Sequence, residues 1–311
     1  MKLTETVPFN IERSPHARKG GLKWKKKLLP WLFVAPTLLL TILVIAGPAF
    51  GTLILSFTDW DGIAPPSYVG LENFKTLLAD ETFYAALSNN LKWMALFCTV
   101  PISLALVIAV LVSKVKRGQM VYRTLFFLPN IVSTVVSARI WMWIYNPFVG
   151  INTVFEAMGF TALASIYYLG DPALALYSVA VTDGWRYWGF LFVLFLSALH
   201  QTDRSLEEAG LIEGASRFQI FWYITLPQLR PTVMLILMLT MIWSFAAFDY
   251  IFLMTSGGPG HASEILGTYM YKLALYNQRP GYASTVALAM ALFSLIIMTG
   301  FGILKKRGWD I

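Results

Sequence analysis

Four ionisable residues, Arg139, Asp183, Arg186 and Asp249, stand inside long apolar stretches of this 311-residue chain. A charge facing lipid is costly, so residues of this kind turn toward a bundle interior or a wet cavity. Asp183 opens the run DGWRYWGF and Asp249 lies in WSFAAFDYIF, which gives each carboxylate aromatic neighbours on its own segment. The chemistry on offer is recognition rather than reaction. Sugar hydroxyls need acceptors and donors, and the C–H face of a sugar ring needs a flat apolar surface. Plainer readings stand beside this one. Arg186 follows Asp183 by three residues and on a helix would neutralise it along one face. Arg139, near the outer end of its segment, has the reach to snorkel to the interface. Asp249 has no local partner of this kind.

Catalytic constellations are missing. The chain has no HExxH, no GxSxG, no paired-cysteine metal spacing and no Gly-rich loop ending in Gly-Lys-Ser/Thr. No catalytic residue and no metal site are therefore expected, and the chain is not expected to hydrolyse ATP or to be an enzyme. The run SGGPG at Ser256 to Gly260 lacks a following lysine and reads as a turn that ends a helix, not as a phosphate cradle. His16, His200 and His261 are isolated, and Cys98 is the single cysteine, which excludes a disulfide or a thiolate cluster within the chain.

One long polar interval is patterned for helices, Ser205 to Pro231, reading SLEEAGLIEGASRFQIFWYITLPQLRP. Ser205 with Glu208, and Ser216 with Gln219, both fit the capping box. Gly214 stands between them, where a helix end needs a left-handed backbone angle. The interval reads as a helix-turn-helix elbow over 205–227. A helix of about eight residues is unstable alone in water, so the elbow needs a partner. Glu208 is open to two roles here, helix cap and docking contact.

The elements that must position these groups are membrane helices. Apolar residues make up 57% of the chain and charged ones 13%, with a mean hydropathy of +0.62, which defines an all-α integral membrane protein. Spans are predicted near 29–57, 90–113, 121–145, 174–199, 231–254 and 284–304, about six in all, each near the roughly 20 residues that a bilayer core requires. The net charge of +7 does not indicate nucleic acid, because the positive residues cluster beside apolar blocks and form no separate basic domain. Lys19, Lys23, Lys25, Lys26 and Lys27 precede the first span, and Lys305, Lys306 and Arg307 follow the last. Basic residues also fill the loops before the third and fifth spans. This asymmetry puts the 1–28 tail, the elbow and the 305–311 tail in the cytoplasm. The first apolar run starts near Leu28 and continues too long for a cleavable signal. Pro36, Pro48, Pro101 and Pro129 fall inside spans and predict kinks.

The elbow resembles the EAA loop of permeases from ATP-binding-cassette importers, with Glu208, Ala209, Gly210, Gly214 and Ala215 followed by Ile224, Leu226 and Pro227. Gly210 replaces the second alanine, a change that weakens a helix by up to about 1 kcal/mol. The segments FFLPNIVSTVVSARIWMWIYNPFVGINTVF from Phe126, FDYIFLMTSGGPG from Phe248 and RPGYASTVALAM from Arg279 are similar to the carbohydrate-uptake branch of that family. The resemblance implies a type I importer permease with both termini cytoplasmic, in the inner membrane of a bacterium or archaeon. It implies a second permease subunit, two ATPase subunits that bind ATP and magnesium, and an external solute-binding protein that delivers a sugar. No cofactor is implied for this chain. The family pattern places coupling to the ATPase at Glu207, Glu208, Ala209, Gly210, Glu213, Gly214, Ala215 and Phe218. It places the substrate pathway at Asp183, Arg186, Tyr187, Phe190, Phe245, Ala246 and Asp249. The rivals are an ion-driven secondary transporter with Asp183 and Asp249 as ion sites, a membrane enzyme without a nucleophile motif, and an importer permease for an amino acid, a phosphate ester or another polar solute.

Overall fold

The computed structural model describes residues 22–308, so the expectations for the tails before Leu22 and after Gly308 lie outside the described residues. The chain divides into two compact units, 1–51 and 52–311. The first is built on α1, Leu22–Thr41, which passes through a π-helical turn, Ile42–Ala46, into α2, Gly47–Leu55. Pro48 has no N–H to offer Val44, and its ring crowds that carbonyl. The wider turn directly upstream, in which the Gly47 amide reaches Ile42 O, takes up this misfit without breaking the helix.

The second unit opens with a two-stranded ribbon, β1 (Thr58–Asp59) against β2 (Ser67–Tyr68), antiparallel, with Thr58 opposite Tyr68. The short α3, Glu72–Leu78, leads to α4, Glu81–Ser113, a helix of 33 residues that continues through Pro101. Asp80 caps α4 by accepting from the amides of Thr82 and Phe83, and its other oxygen accepts from the hydroxyls of Tyr269 and Tyr282. Burial pushes the Asp80 carboxyl up, yet these four donors together hold it below the ordinary carboxylate range.

The third predicted span is not one helix. It is α5, Gln119–Ile131, and α6, Thr134–Ile144, meeting at 91°. Pro129 weakens the end of α5, Val132 is extended, and Ser133 starts α6 afresh by accepting from the Val136 amide. The 13 residues of α5 rise only about 20 Å, short of a core of roughly 30 Å. Two brief helices follow, α7 (Ile151–Ala157) and α8 (Thr161–Ala164), fastened by the Asn152 amide, which donates to the carbonyls of Ala164 and Ile166.

Next comes α9, Ala175–Leu199, the centre of the unit. It lies along α4 and against α5, and its Leu191, Phe192, Phe195 and Leu196 are fully buried with Trp93 and Phe97 of α4 in the main core. A β-carbon at Gly189 would stand 2.0 Å from the Phe126 carbonyl oxygen, so only glycine lets α5 approach this closely. The elbow follows as α10 (Arg204–Ile212), α11 (Arg217–Ile220), a second π turn (Phe221–Thr225) and α12 (Leu226–Gln228). This π turn also ends just before a proline, Pro227.

The fifth predicted span is likewise interrupted. α13 covers Arg230–Phe245, the chain unwinds at Ala246–Phe248, and α14 resumes at Asp249–Met254. Asn90, fully buried on α4, supports the break: its amide donates to Ser244 O at 2.7 Å, and its side-chain oxygen accepts from the Leu266 amide at 2.8 Å. The orphan groups of two helix ends are met by one side chain. SGGPG forms the expected turn after α14. Gly257 (φ +80°) is required there, since a β-carbon would fall 2.5 Å from a carboxylate oxygen of buried Glu264. α15 (Leu266–Leu275) and α16 (Pro280–Lys306) close the unit. Among the described residues four helices are long and apolar enough to cross a membrane alone, and six spans result only when two bent pairs, α5 with α6 and the stretch Arg217–Gln228 with α13, are each counted as one.

Candidate functional site

The break between α13 and α14 borders a cavity of about 380 Å³. α9 contributes Asp183, Arg186, Tyr187 and Phe190; α13 contributes Thr240, Trp243 and Ser244; the unwound residues Ala246, Ala247 and Phe248 and the start of α14, from Asp249 to Ile251, complete one wall. Trp93 and Phe97 of α4 and Asn130 of α5 line the rest. Aromatic rings set the shape. Tyr187 sits 5.6 Å from Phe97 and 5.8 Å from Trp243 between ring centroids, and its hydroxyl is 2.8 Å from Thr240 Oγ1, joining α9 to α13. Flat apolar faces with a few polar groups between them suit a ligand with both a C–H face and hydroxyls.

The charged groups are held loosely. Arg186 Nη2 lies 3.5 Å from Asp183 Oδ1, and the guanidinium lies 5.6 Å over the Tyr250 ring. The side chains of Arg186 and Asp183 remain 31% and 19% exposed, so their pairing along one helix face does not close them off from the cavity. Asp249 is exposed at the first turn of α14. Arg139 is exposed on α6 and is not among the lining residues.

Six of the seven residues expected on the pathway line this cavity, and Phe245 does not. Its ring is 2% exposed and stacks on Phe293 of α16 at 5.3 Å. Successive helical residues point about 100° apart, so Ser244 and Phe245 at the end of α13 face different neighbours. Trp93 and Phe97 of α4 and Asn130 of α5 lie outside the two spans that carry the expected pathway residues, and Trp243 and Tyr250 lie within one of them without a charge to single them out. The amide of Asn130, a polar group in an apolar stretch, is the signal that points to α5.

The elbow lies at the other ends of α9 and α13. Its first helix starts two residues earlier than the Ser205–Glu208 box predicts. Asp203 is the N-cap and accepts from the Ser205 amide at 2.9 Å and from its hydroxyl at 2.7 Å. These two bonds, from the hydroxyl and then the amide, hold the Asp203 carboxyl below the ordinary range. Ser205 is thereby engaged as a donor inside the helix, and Glu208 has no capping role. The second box is present: the Gln219 amide donates to Ser216 Oγ, and the Ser216 amide donates to Gln219 Oε1. Gly214 takes φ +86°, and the Ala215 amide closes the turn on Gly210 O at 2.9 Å.

Two faces result. The inner one carries Glu207, whose Oε1 accepts from Thr225 Oγ1 at 2.8 Å, and Gly210, where a β-carbon would stand 2.9 Å from the terminal methyl of Ile224. The outer one presents Glu208, Ala209, Glu213 and Phe218 to solvent, with Ile212 at 87% and Phe218 at 72% exposure. Apolar residues this bare, one on α10 and one on α11, mark a surface made to be covered.

Residues 101–308 match the family model described as binding-protein-dependent transport system inner membrane component. A probable ABC transporter permease of Pyrococcus horikoshii is 32% identical over 269 residues, which span 86% of this chain and 92% of that one. The trehalose/maltose transport system permease of Thermococcus litoralis is 29% identical, over 89% of this chain and 92% of its own. Among solved structures, a chain of a bacterial ABC transporter that imports the acidic polysaccharide alginate superposes with a TM-score of 0.80 at 24% identity, covering 92% of this chain and 99% of that chain.

Proposed function

Given that the chain belongs to the family of binding-protein-dependent transport system inner membrane components, multi-pass permeases of ABC importers, we propose that it forms one half of the pathway for a sugar. The cargo arrives on an external solute-binding protein, a second permease subunit supplies the other half of the pathway, and two ATPase subunits supply the energy. ATP and magnesium belong to those ATPases, and the sugar crosses without chemical change.

The observation that carries this reading is that the same two helices serve both ends. α9 and α13 wall the cavity, and the chain between them is the elbow. The charge asymmetry of the loops supports a cytoplasmic elbow. An ATPase seated on Glu208, Ala209, Ile212, Glu213 and Phe218 pushes, through short connections, on the helices that shape the cavity. Glu207, Gly210, Gly214 and Ala215 act one step behind that surface, keeping the elbow folded so that the push is transmitted. Closure of two ATPases then exchanges an inward-open for an outward-open cavity, a rigid-body change of the kind known for packed helices.

Uptake by vesicles holding the whole complex tests this. Accumulation of unmodified sugar is expected only with ATP inside and with the ATPase subunits present. Uptake driven by a proton or sodium gradient without ATP, or recovery of a chemically altered sugar, would overturn the proposal.

A further inference from the structure

Among the described residues around the cavity three side chains are charged, Asp183, Asp249 and Arg186, so two carboxylates face one guanidinium. At 3.5 Å the Asp183–Arg186 contact is at the long limit of a hydrogen bond. A guanidinium has five N–H donors, and Arg186 spends one of them on Asp183 while its Nε has no partner among the described residues. The pair therefore offers a donor and an acceptor side by side. Adjacent hydroxyls of a sugar fit such a pair, one accepting from Arg186 and the other donating to Asp183, with no net charge brought in. Asp249 has no ion-pair partner among the described residues, so its negative charge stands uncompensated beside the same space.

Granting the importer reading, we infer that this cavity takes an uncharged sugar and rejects acidic ones, uronates and phosphate esters alike. Asp183 and Arg186 read neighbouring hydroxyls, and Asp249 supplies the repulsion. An incoming carboxylate or phosphate meets two like charges in surroundings of low dielectric, where such repulsion is far stronger than in water. The single cation available to it is already shared with Asp183. Hydroxyls, by contrast, satisfy acceptors that otherwise face the cavity bare.

The test uses the whole complex in lipid nanodiscs without its solute-binding protein, whose own selectivity would mask that of the cavity. Maltotriose and cellotriose are each titrated beside the same sugar oxidised at C6 to uronate residues, and binding is read from the fluorescence of the cavity tryptophans Trp93 and Trp243. The neutral member of at least one pair is expected to bind at least about tenfold more tightly than its uronate, which corresponds to about 1.4 kcal/mol. Asp249→Asn is expected to shrink that ratio several-fold. Uronates binding as tightly as their neutral partners would overturn the inference, as would a ratio unmoved by Asp249→Asn. If no sugar of either kind binds, the assignment of this cavity to sugar falls, and the inference with it. ATP-dependent uptake measured on the same preparation with its binding protein restored reports separately on the importer reading, so the two failures are distinguishable.

Discussion

The cavity and the elbow are joined by the same two helices and are built in opposite ways. The cavity depends on bonds that close long stretches of chain: Asn90 reaches Ser244 across 154 residues and Leu266 across 176, and Tyr187 meets Thr240 across 53. The elbow depends mostly on bonds between near neighbours, Asp203 to Ser205, Ser216 to Gln219 and Ala215 to Gly210. Its wider ties, Thr225 to Glu207 and Asp203 to Gln228, still stay within the elbow. One region is shaped by the whole fold and rests on buried polar groups, Asn90, Thr240 and Ser244. The other folds on its own terms and leaves an apolar face bare. A substitution in the first should disturb stability and binding together, whereas one on the outer face of the second should leave the fold alone and disturb only what docks there.

The largest separation is expected from Glu208→Lys. Removing or reversing a charge in a docked interface costs about 2–5 kcal/mol, so ATP-driven uptake should fall on the order of 30-fold or more while insertion and melting temperature hold. Normal uptake by this variant would erase the distinction at the elbow. Asn90→Ala attacks the other side. It strands the Ser244 carbonyl and the Leu266 amide, at about 1–3 kcal/mol for each buried group. A lower melting temperature and weaker sugar binding are expected, with unchanged amide exchange in α10, and an unaltered melting curve would show that the cavity does not rest on this bond.

Acid sharpens the comparison without a mutation. Asp80, tied to Tyr269 across 189 residues and Tyr282 across 202, has a folded pKa depressed below its ordinary 3.8. Its contribution to stability is fully present above 3.8 and is lost as pH falls through the lower folded value. Acid melting should therefore include a component that Asp80→Asn removes, and a wild-type acid profile in that variant would rule it out. The smallest effect is expected from Ser216→Ala. Loss of one cap weakens the elbow by about 1 kcal/mol, visible as faster amide exchange at Phe218 and Gln219 and not in the melting of the whole protein.

The same contrast explains what the sequence let one read. The Ser216–Gln219 box, the turn at Gly214 and the membrane character of the helices are local or compositional, and all three appear in the residues directly. The first cap differs from the Ser205 expectation because Asp203 and Ser205 compete for one helix start, and the aspartate, two residues earlier, wins by accepting from both the amide and the hydroxyl of Ser205. Hydropathy predicts both interrupted spans as continuous because it does not register a break. Pro129 gave a hint of the right-angle turn. Nothing near Ala246 announced the unwinding there, because the group that supports it, Asn90, lies on another helix. Asp183 and Asp249 were legible as cavity residues from the cost of a charge in lipid, but Trp93 and Phe97 look like any core aromatics until α4 is laid beside α9. Phe245 falls outside the cavity because which face of a helix end meets which neighbour is decided by packing.

Asn90 also dates events in the making of the protein. α4 leaves the ribosome long before Leu266 has been added, 176 residues later. At about 5–20 residues per second, that interval is roughly 10–35 s. For the first 154 residues of it, the Asn90 side chain that will fasten the α13–α14 break has neither of its final partners, and until Leu266 is added it has at most one. The break is therefore a late product of synthesis, fixed only when Leu266 arrives. A chain truncated before α15 carries the elbow complete and the cavity unfinished.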